Sequence, residues 1–403
     1  MASLVAAAPV RQGAWLAALC FSRFAASLAF MMYAAALPAA AAAWGMDAAA
    51  AGSVQSAFNL AYGVSLVAAA ALADRLGAKR VFLWSSVLAA LAALAFAAFA
   101  RSHASALTLF ALLGLAQGGT YAPVLMLVVQ GLPAARRGSA VGLTIAAGSL
   151  GYVAAVSVAA AVGGDYVAVF ALCGTAPLIG VVAAVLALRG QANAVPRPTA
   201  PAAAGGGRPS RTAALLTAGY TAHSWELLGL WAWLPGFVAV AAGAQAGPWI
   251  GLALHGPGCI AAIAMGRAAD RLGHRRVLVA TAFAGALGCF ALAASVDGPL
   301  PLVVALAAFC SFAALGDSPV LTAAMGAAVP ADRLGRALAV RSILGFGAGG
   351  LAPLAFGRTL GAADAGGAWA TGFMLLGAGG LVAAASAVLL RAAPSDASRR
   401  TVT

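Results

Sequence analysis

The sequence predicts an all-α membrane protein with twelve transmembrane helices arranged as two pseudo-symmetric six-helix bundles. Three observations carry that prediction. Of 403 residues, 63% are hydrophobic and only 8% are charged, whereas a soluble domain carries about 25% charged residues and needs them for its surface. The apolar residues come in long blocks: Val277 to Val296 is twenty residues without a charged side chain. At 1.5 Å per residue such a block covers about 30 Å, the thickness of a hydrocarbon core. Finally, the two halves of the chain repeat one another at a nearly constant offset.

The blocks place spans at 14–40, 50–73, 81–100, 104–132, 138–161 and 166–188, then at 213–242, 246–269, 277–296, 300–328, 337–360 and 367–390. Short turns rich in Gly, Pro and charge separate them. One connector differs. Residues 189–212 are rich in Pro, Gly and Ala, hold four Arg, and read as a flexible polar linker. The expected organisation is therefore a six-helix unit over 1–188, the linker, and a second six-helix unit over 213–403. The N-terminus runs into a span too long for the core of a cleaved leader and reads as helix 1.

The net charge of +13 does not imply nucleic acid, because basic residues sit in short loops rather than in a run interleaved with aromatics. Their placement sets the expected orientation. With both termini in the cytoplasm, the inner segments hold Arg11, Arg75, Lys79, Arg80, Arg136, Arg137, Arg189, Arg197, Arg208, Arg211, Arg267, Arg271, Arg275, Arg276, Arg333, Arg336, Arg391, Arg399 and Arg400. That is nineteen of 23 Lys and Arg. Only Arg101 and Arg358 fall in outer loops. The five Cys (20, 173, 259, 289 and 310) lie in apolar blocks without a CxxC and read as small buried side chains.

The repeat is explicit. ALADRLGAKRV at 71–81 returns as RAADRLGHRRV at 267–277, an offset of 196. Pro123 matches Pro319 at that offset, and Pro133 matches Pro330 at 197. Two halves of six spans with equal orientation are parallel repeats about an axis along the membrane normal. In the repeated loop, Gly77 suits a left-handed turn, and Asp74 is a candidate helix cap.

This loop resembles the signature of the major facilitator superfamily, Gly-x-Leu-Ala-Asp-Arg-x-Gly-Arg-Lys. The second copy (Gly266, Asp270, Arg271, Gly273, Arg275, Arg276) sits where that family carries its own. The resemblance extends to length, span number and central linker. It implies a secondary transporter in which the two halves rock about a midplane site. It also implies that Asp74, Arg75, Gly77, Asp270, Arg271 and Gly273 form charged latches of one conformation; fixing topology and capping helices is the competing role. Two features depart from the family. The first copy has Ala70 or Ala71 where a Gly is usual. Gln117-Gly118 is preceded by Gly114 where the family's fourth span often has an Arg. Span 5 also lacks the Gly-Pro pair of drug–proton antiporters.

An ionisable side chain at bilayer centre costs at least about 3 kcal/mol, so each one is a functional candidate. They are Arg23 in span 1, His223 and Glu226 in span 7, His255 in span 8, Asp317 in span 10 and Arg341 in span 11. Spans 3, 6, 9 and 12 hold none, as expected if those four face lipid. Arg23 suits bidentate contact with an anion, or a pair with Glu226 or Asp317. His223 and Glu226 share a helix face and are candidates for proton coupling. Asp317, between Gly316 and Pro319, is expected at a helix break. Arg341 reads as a gate or topology residue. Around His255 and Cys259, Pro257 and two Gly are expected to interrupt the helix; a soft-metal site is weighed against a His at a hinge, and no metal is assigned. Gln55, Asn59 and Tyr62 share one face of span 2 and Gln117 and Tyr121 one of span 4, as cavity lining or interhelical hydrogen-bond glue. Trp225 is a candidate for stacking on a substrate.

No GxxxxGK[ST] occurs, against an ATP-driven pump. The expected function is proton-coupled uptake of a small organic or inorganic anion across a bacterial cytoplasmic membrane, by a monomer that is not an enzyme and carries no cofactor. Efflux of drug-like or cationic compounds, and a non-transporting sensor or assembly factor, are the alternatives.

Overall fold

The computed structural model describes residues 9–195, 210–361 and 365–390. Arg197, Arg208, Arg391, Arg399 and Arg400, most of the linker and the side chain of Arg11 lie outside what is described. Among the described residues there are helices and no strand. Twelve helical spans are long and apolar enough to cross a membrane: Gln12–Ala43, Ala48–Leu76, Ala78–Phe99, His103–Gly131, Arg136–Ala161, Tyr166–Leu188, Arg211–Gln245, Trp249–Leu272, His274–Ala293, Leu300–Ala328, Arg333–Leu360 and Gly367–Val388. They are numbered 1 to 12 below.

Their ends follow from capping chemistry. Asp47 accepts from Ala50 N at 2.7 Å and opens span 2. Asp165 and Ser210 open spans 6 and 7 in the same way. Gly77 (φ +87°) and Gly273 (φ +85°) are single-residue joints, each donating its N–H to the carbonyl four residues back. Asp74 caps nothing: it lies exposed in the last turn of span 2, and span 3 begins at Gly77 without a side-chain cap.

Two proline sites differ from expectation. Span 10 runs unbroken through Pro319 and span 8 through Pro257. Packing against neighbouring helices sustains a helix despite one missing hydrogen bond; Gly258 lies directly on Leu315 of span 10. Span 4 breaks instead. Its helix ends at Gln117, a 3-10 turn covers Gly118–Thr120, and the helix resumes at Ala122. There the backbones of Gly118 and Gly119 press on Ser65 and Ser85, and Gly119 N donates to Ser85 Oγ at 3.1 Å.

Span 1 packs on 5 and 6, span 7 on 11 and 12, and span 9 on 10 and 12. The halves meet mainly through span 2 against 11 and span 5 against 8, with span 1 touching span 7. These contacts gather toward the end opposite the linker, called here the far end. Gly52 abuts the Pro353 carbonyl, Gly357 abuts Ala48, and Gly251 abuts Val153. Ser56 Oγ accepts from Leu354 N at 3.1 Å, and Ser157 Oγ donates to Pro248 O at 2.7 Å. Toward the linker end, spans 4 and 5 make no comparable contact with 10 and 11. Small residues bring the backbones this close where lipid offers no hydrophobic drive between helices.

Candidate functional site

Two buried arginines define the centre. Arg23 (7% exposed) projects from span 1, where Gly148 of span 5 leaves room for its guanidinium. Its Cζ stands 5.0 Å from the ring centroid of Tyr121, and Tyr62 and Tyr152 are within electrostatic reach. Arg341 (7% exposed) lies over Tyr220 at 4.1 Å and donates from Nη1 to Thr322 Oγ1 at 3.3 Å. The Nε of each arginine is buried without a partner, and neither guanidinium pairs with a carboxylate among the described residues. Four of the six tyrosines in the chain (Tyr62, Tyr121, Tyr152 and Tyr220) thus collect around these two cations. Cation–π contact contributes about 1–2 kcal/mol once desolvated, less than burying an unpaired charge costs.

The acidic groups are placed differently from the sequence expectation. His223 turns to span 10 rather than to Glu226: its Nδ1 lies 2.7 Å from Asp317 Oδ1, an ion-pair distance without hydrogen-bond alignment. His223 also packs beside Tyr220, with ring centroids 5.9 Å apart. Glu226 points into its own half. Cys289 Sγ of span 9 lies 3.6 Å from its Oε1, and Gly285 leaves space for the carboxylate. Neither carboxylate is the partner of Arg23.

An aromatic cluster closes the site toward the far end. Phe30, Tyr152 and Trp231 meet at centroid distances of 5.0–6.1 Å. His255 stands 5.8 Å from Tyr152, buried, with both ring nitrogens unpartnered. Cys259 donates its thiol to the carbonyl of His255 at 3.3 Å, and no group of three or more metal-ligating side chains occurs among the described residues. Gln55 donates to Asn59 at 3.3 Å beside a small void shared with Phe30 and Trp231. Gln117 donates to Ala26 O at 2.8 Å and ties span 4 to span 1. Trp225 donates to Leu375 O at 3.2 Å and borders a groove between spans 7, 11 and 12 whose lining includes Arg333 and Arg336 but neither Arg23 nor Arg341.

At the linker end, Asp74, Arg75, Asp270 and Arg271 are exposed and make no ion pair among the described residues. The loop is held by other residues. Lys79 Nζ donates to Gln191 O at 2.6 Å, and Asn193 bridges Leu76 O and Arg80 N. In the second half, Arg275 donates to Val388 O at 2.9 Å. Lys79 and Gln191 correspond to Arg275 and Val388 at offsets of 196 and 197, so the repeat extends to these anchors.

Comparison with known proteins agrees with this fold. A family model described as Major Facilitator Superfamily matches residues 19–258 and 249–402. The chain belongs to the major facilitator superfamily. No curated protein matches the sequence significantly. Among solved structures, a mutant of the nucleoside transporter NupG superposes with a TM-score of 0.70 at 15% identity, covering 93% of this chain and 98% of the other. A peptide transporter POT in complex with sulfate gives 0.75 at 16% identity, covering 93% of each chain. At such identity the likeness is one of fold. This superfamily member is therefore a multi-pass membrane protein.

Sequence reasoning missed Tyr152, Tyr220, Thr322 and Asn193 as members of these arrangements. The available signal was scarcity: tyrosines are few, and most lie at helical positions facing the spans that carry the buried arginines.

Proposed function

We propose that the protein is a secondary transporter for a small organic or inorganic anion, coupled to protons and working by rocker-switch alternating access. The observation that carries this reading is Arg23: a buried guanidinium with no carboxylate partner and an unpartnered Nε. A cation at this depth is expensive, and an anionic cargo would supply the missing partner through a bidentate contact. Tyrosine hydroxyls nearby can donate to cargo oxygens. Both buried carboxylates already have neighbours, so the site offers little to a cationic drug, and the efflux reading is weaker.

The His223–Asp317 pair is the proposed proton carrier. Protonating Asp317 would remove the ion pair and release His223 beside Tyr220, linking proton load to the wall that holds Arg341. The unpaired Asp74–Arg75 and Asp270–Arg271 loops fit latches that engage when the linker end closes. The linker end is assigned to the cytoplasm of a bacterial inner membrane by the distribution of Lys and Arg. The chain is assigned a monomeric, non-enzymatic role.

Reconstituted vesicles with an internal pH dye test this reading. Added organic anion is expected to carry protons inward in the wild type. Anion movement without a pH change would remove proton coupling; no anion movement would remove the reading itself.

A further inference from the structure

We infer that the cargo is a dianion of the dicarboxylate type, held at one end by Arg23 of the first half and at the other by Arg341 of the second. The inference rests on the anion reading above and specifies its substrate class.

Arg341 matches Arg23 in every respect that matters for ligand recognition. Each is 7% exposed, each has a buried Nε without a partner, and each guanidinium lies against a tyrosine rather than a carboxylate. Arg341 adds a donor bond to Thr322, which leaves most of its fork unused. The two cations face a shared wall. Tyr121 lies under Arg23 and within electrostatic reach of Arg341, and the ring of Tyr62 meets Phe346 of span 11, beyond Arg341, at a centroid distance of 5.4 Å. Tyr121 and Tyr220 are only half-buried and Thr322 is exposed, so the group can be reached.

Charge counting then selects the cargo. A monoanion would neutralise one guanidinium and leave the other buried and unpaired. Asp317 of the second half is engaged with His223 and pairs with neither arginine. Two separated carboxylates answer two separated bidentate forks, and the tyrosine hydroxyls between them suit the polar middle of such a molecule. The arginines stand on spans 1 and 11, in opposite halves. A ligand bound at both ends would therefore pull the halves together at the linker end, where they now stand apart.

The test is binding and counterflow with the full-length wild type and two variants in proteoliposomes, using succinate and malonate as dianion probes and acetate and butyrate as monoanion probes. Wild type is expected to bind succinate at least about tenfold tighter than butyrate, the value of one charge-assisted contact. Arg341→Gln should lose that preference, with succinate affinity falling about ten- to hundredfold while monoanion affinity stays within about twofold. Arg341→Lys should recover part of it, which separates loss of charge from misfolding. Equal affinity for succinate and butyrate, or a preference that survives Arg341→Gln, overturns the inference and leaves the anion reading intact. Failure of every anion to bind, with the protein monodisperse, overturns both.

Discussion

Gly52 sits where spans 2 and 11 come closest, and replacing it should open the far end. A Cβ there would overlap the Pro353 carbonyl oxygen, with Pro353 C at 2.8 Å and Leu354 Cα at 3.1 Å. All three are backbone atoms and cannot rotate away. Carbon–carbon contact is comfortable at 3.5–4.0 Å, so Gly52→Val must part the helices by about 1 Å or more. One hydrogen bond crosses the seam at the same place: Ser56 Oγ accepts from Leu354 N at 3.1 Å. Overpacking costs about 1–3 kcal/mol, and weakening that hydrogen bond adds about 1 kcal/mol. A penalty of about 2–4 kcal/mol on the far-closed state shifts its balance against the far-open state by a factor of about 30 or more. Pulsed EPR between labels at Ala49 and Arg358 reads this directly. The variant should show a longer, broader distance than wild type and slower counterflow. An unchanged distance with full transport would refute the argument that this glycine contact closes the far end.

Three further outcomes follow from the site. Asp317→Asn removes the charge beside His223, so proton-driven accumulation should be abolished while anion counterflow persists, measured on the same vesicles with and without a pH gradient. Glu226→Gln should leave counterflow within about twofold, because the group faces Cys289 inside the second half, and should alter melting by no more than about 1 kcal/mol, the value of one weak hydrogen bond. Asn193→Ala removes both bonds that hold the start of the linker on the span 2–3 turn. Hydrogen exchange of the amide of Arg80 should then accelerate about fivefold, since one hydrogen bond is worth about 1 kcal/mol, with no change at the matching Arg276.

The spans were legible because hydrophobic length is a one-dimensional property, and the repeat was legible because the ADRLG loop is conspicuous. Local breaks were not. Pro123 and Pro319 occupy matching positions, yet only span 4 bends, because Gly118 and Gly119 lie against Ser65 and Ser85 while span 10 keeps its helix. That difference lives in tertiary packing. Asp74 resembled a cap because its neighbours are a turn, but the single-glycine joint puts it at the end of the preceding helix instead. The same limit applied at the site. Burial of Arg23, Asp317 and Arg341 followed from their place in apolar spans. Pairing did not: His223 and Glu226 share a face by spacing, and only the approach of span 10 decides that His223 meets Asp317. Tyr62 and Tyr121 stood out only through polar neighbours on the same helix face, and Tyr152 and Tyr220 went unnoticed because a tyrosine in a span carries no formal charge to flag it.

Anion counterflow by wild type and Arg23→Ala in vesicles without any pH gradient tests the central claim most directly, since it needs neither coupling nor orientation. Wild type should exchange organic anions, and Arg23→Ala should lose that exchange by about tenfold or more, the value of a charge-assisted contact, while remaining folded and monodisperse. Undiminished anion exchange by Arg23→Ala would contradict the account, as would exchange confined to neutral or cationic solutes in the wild type.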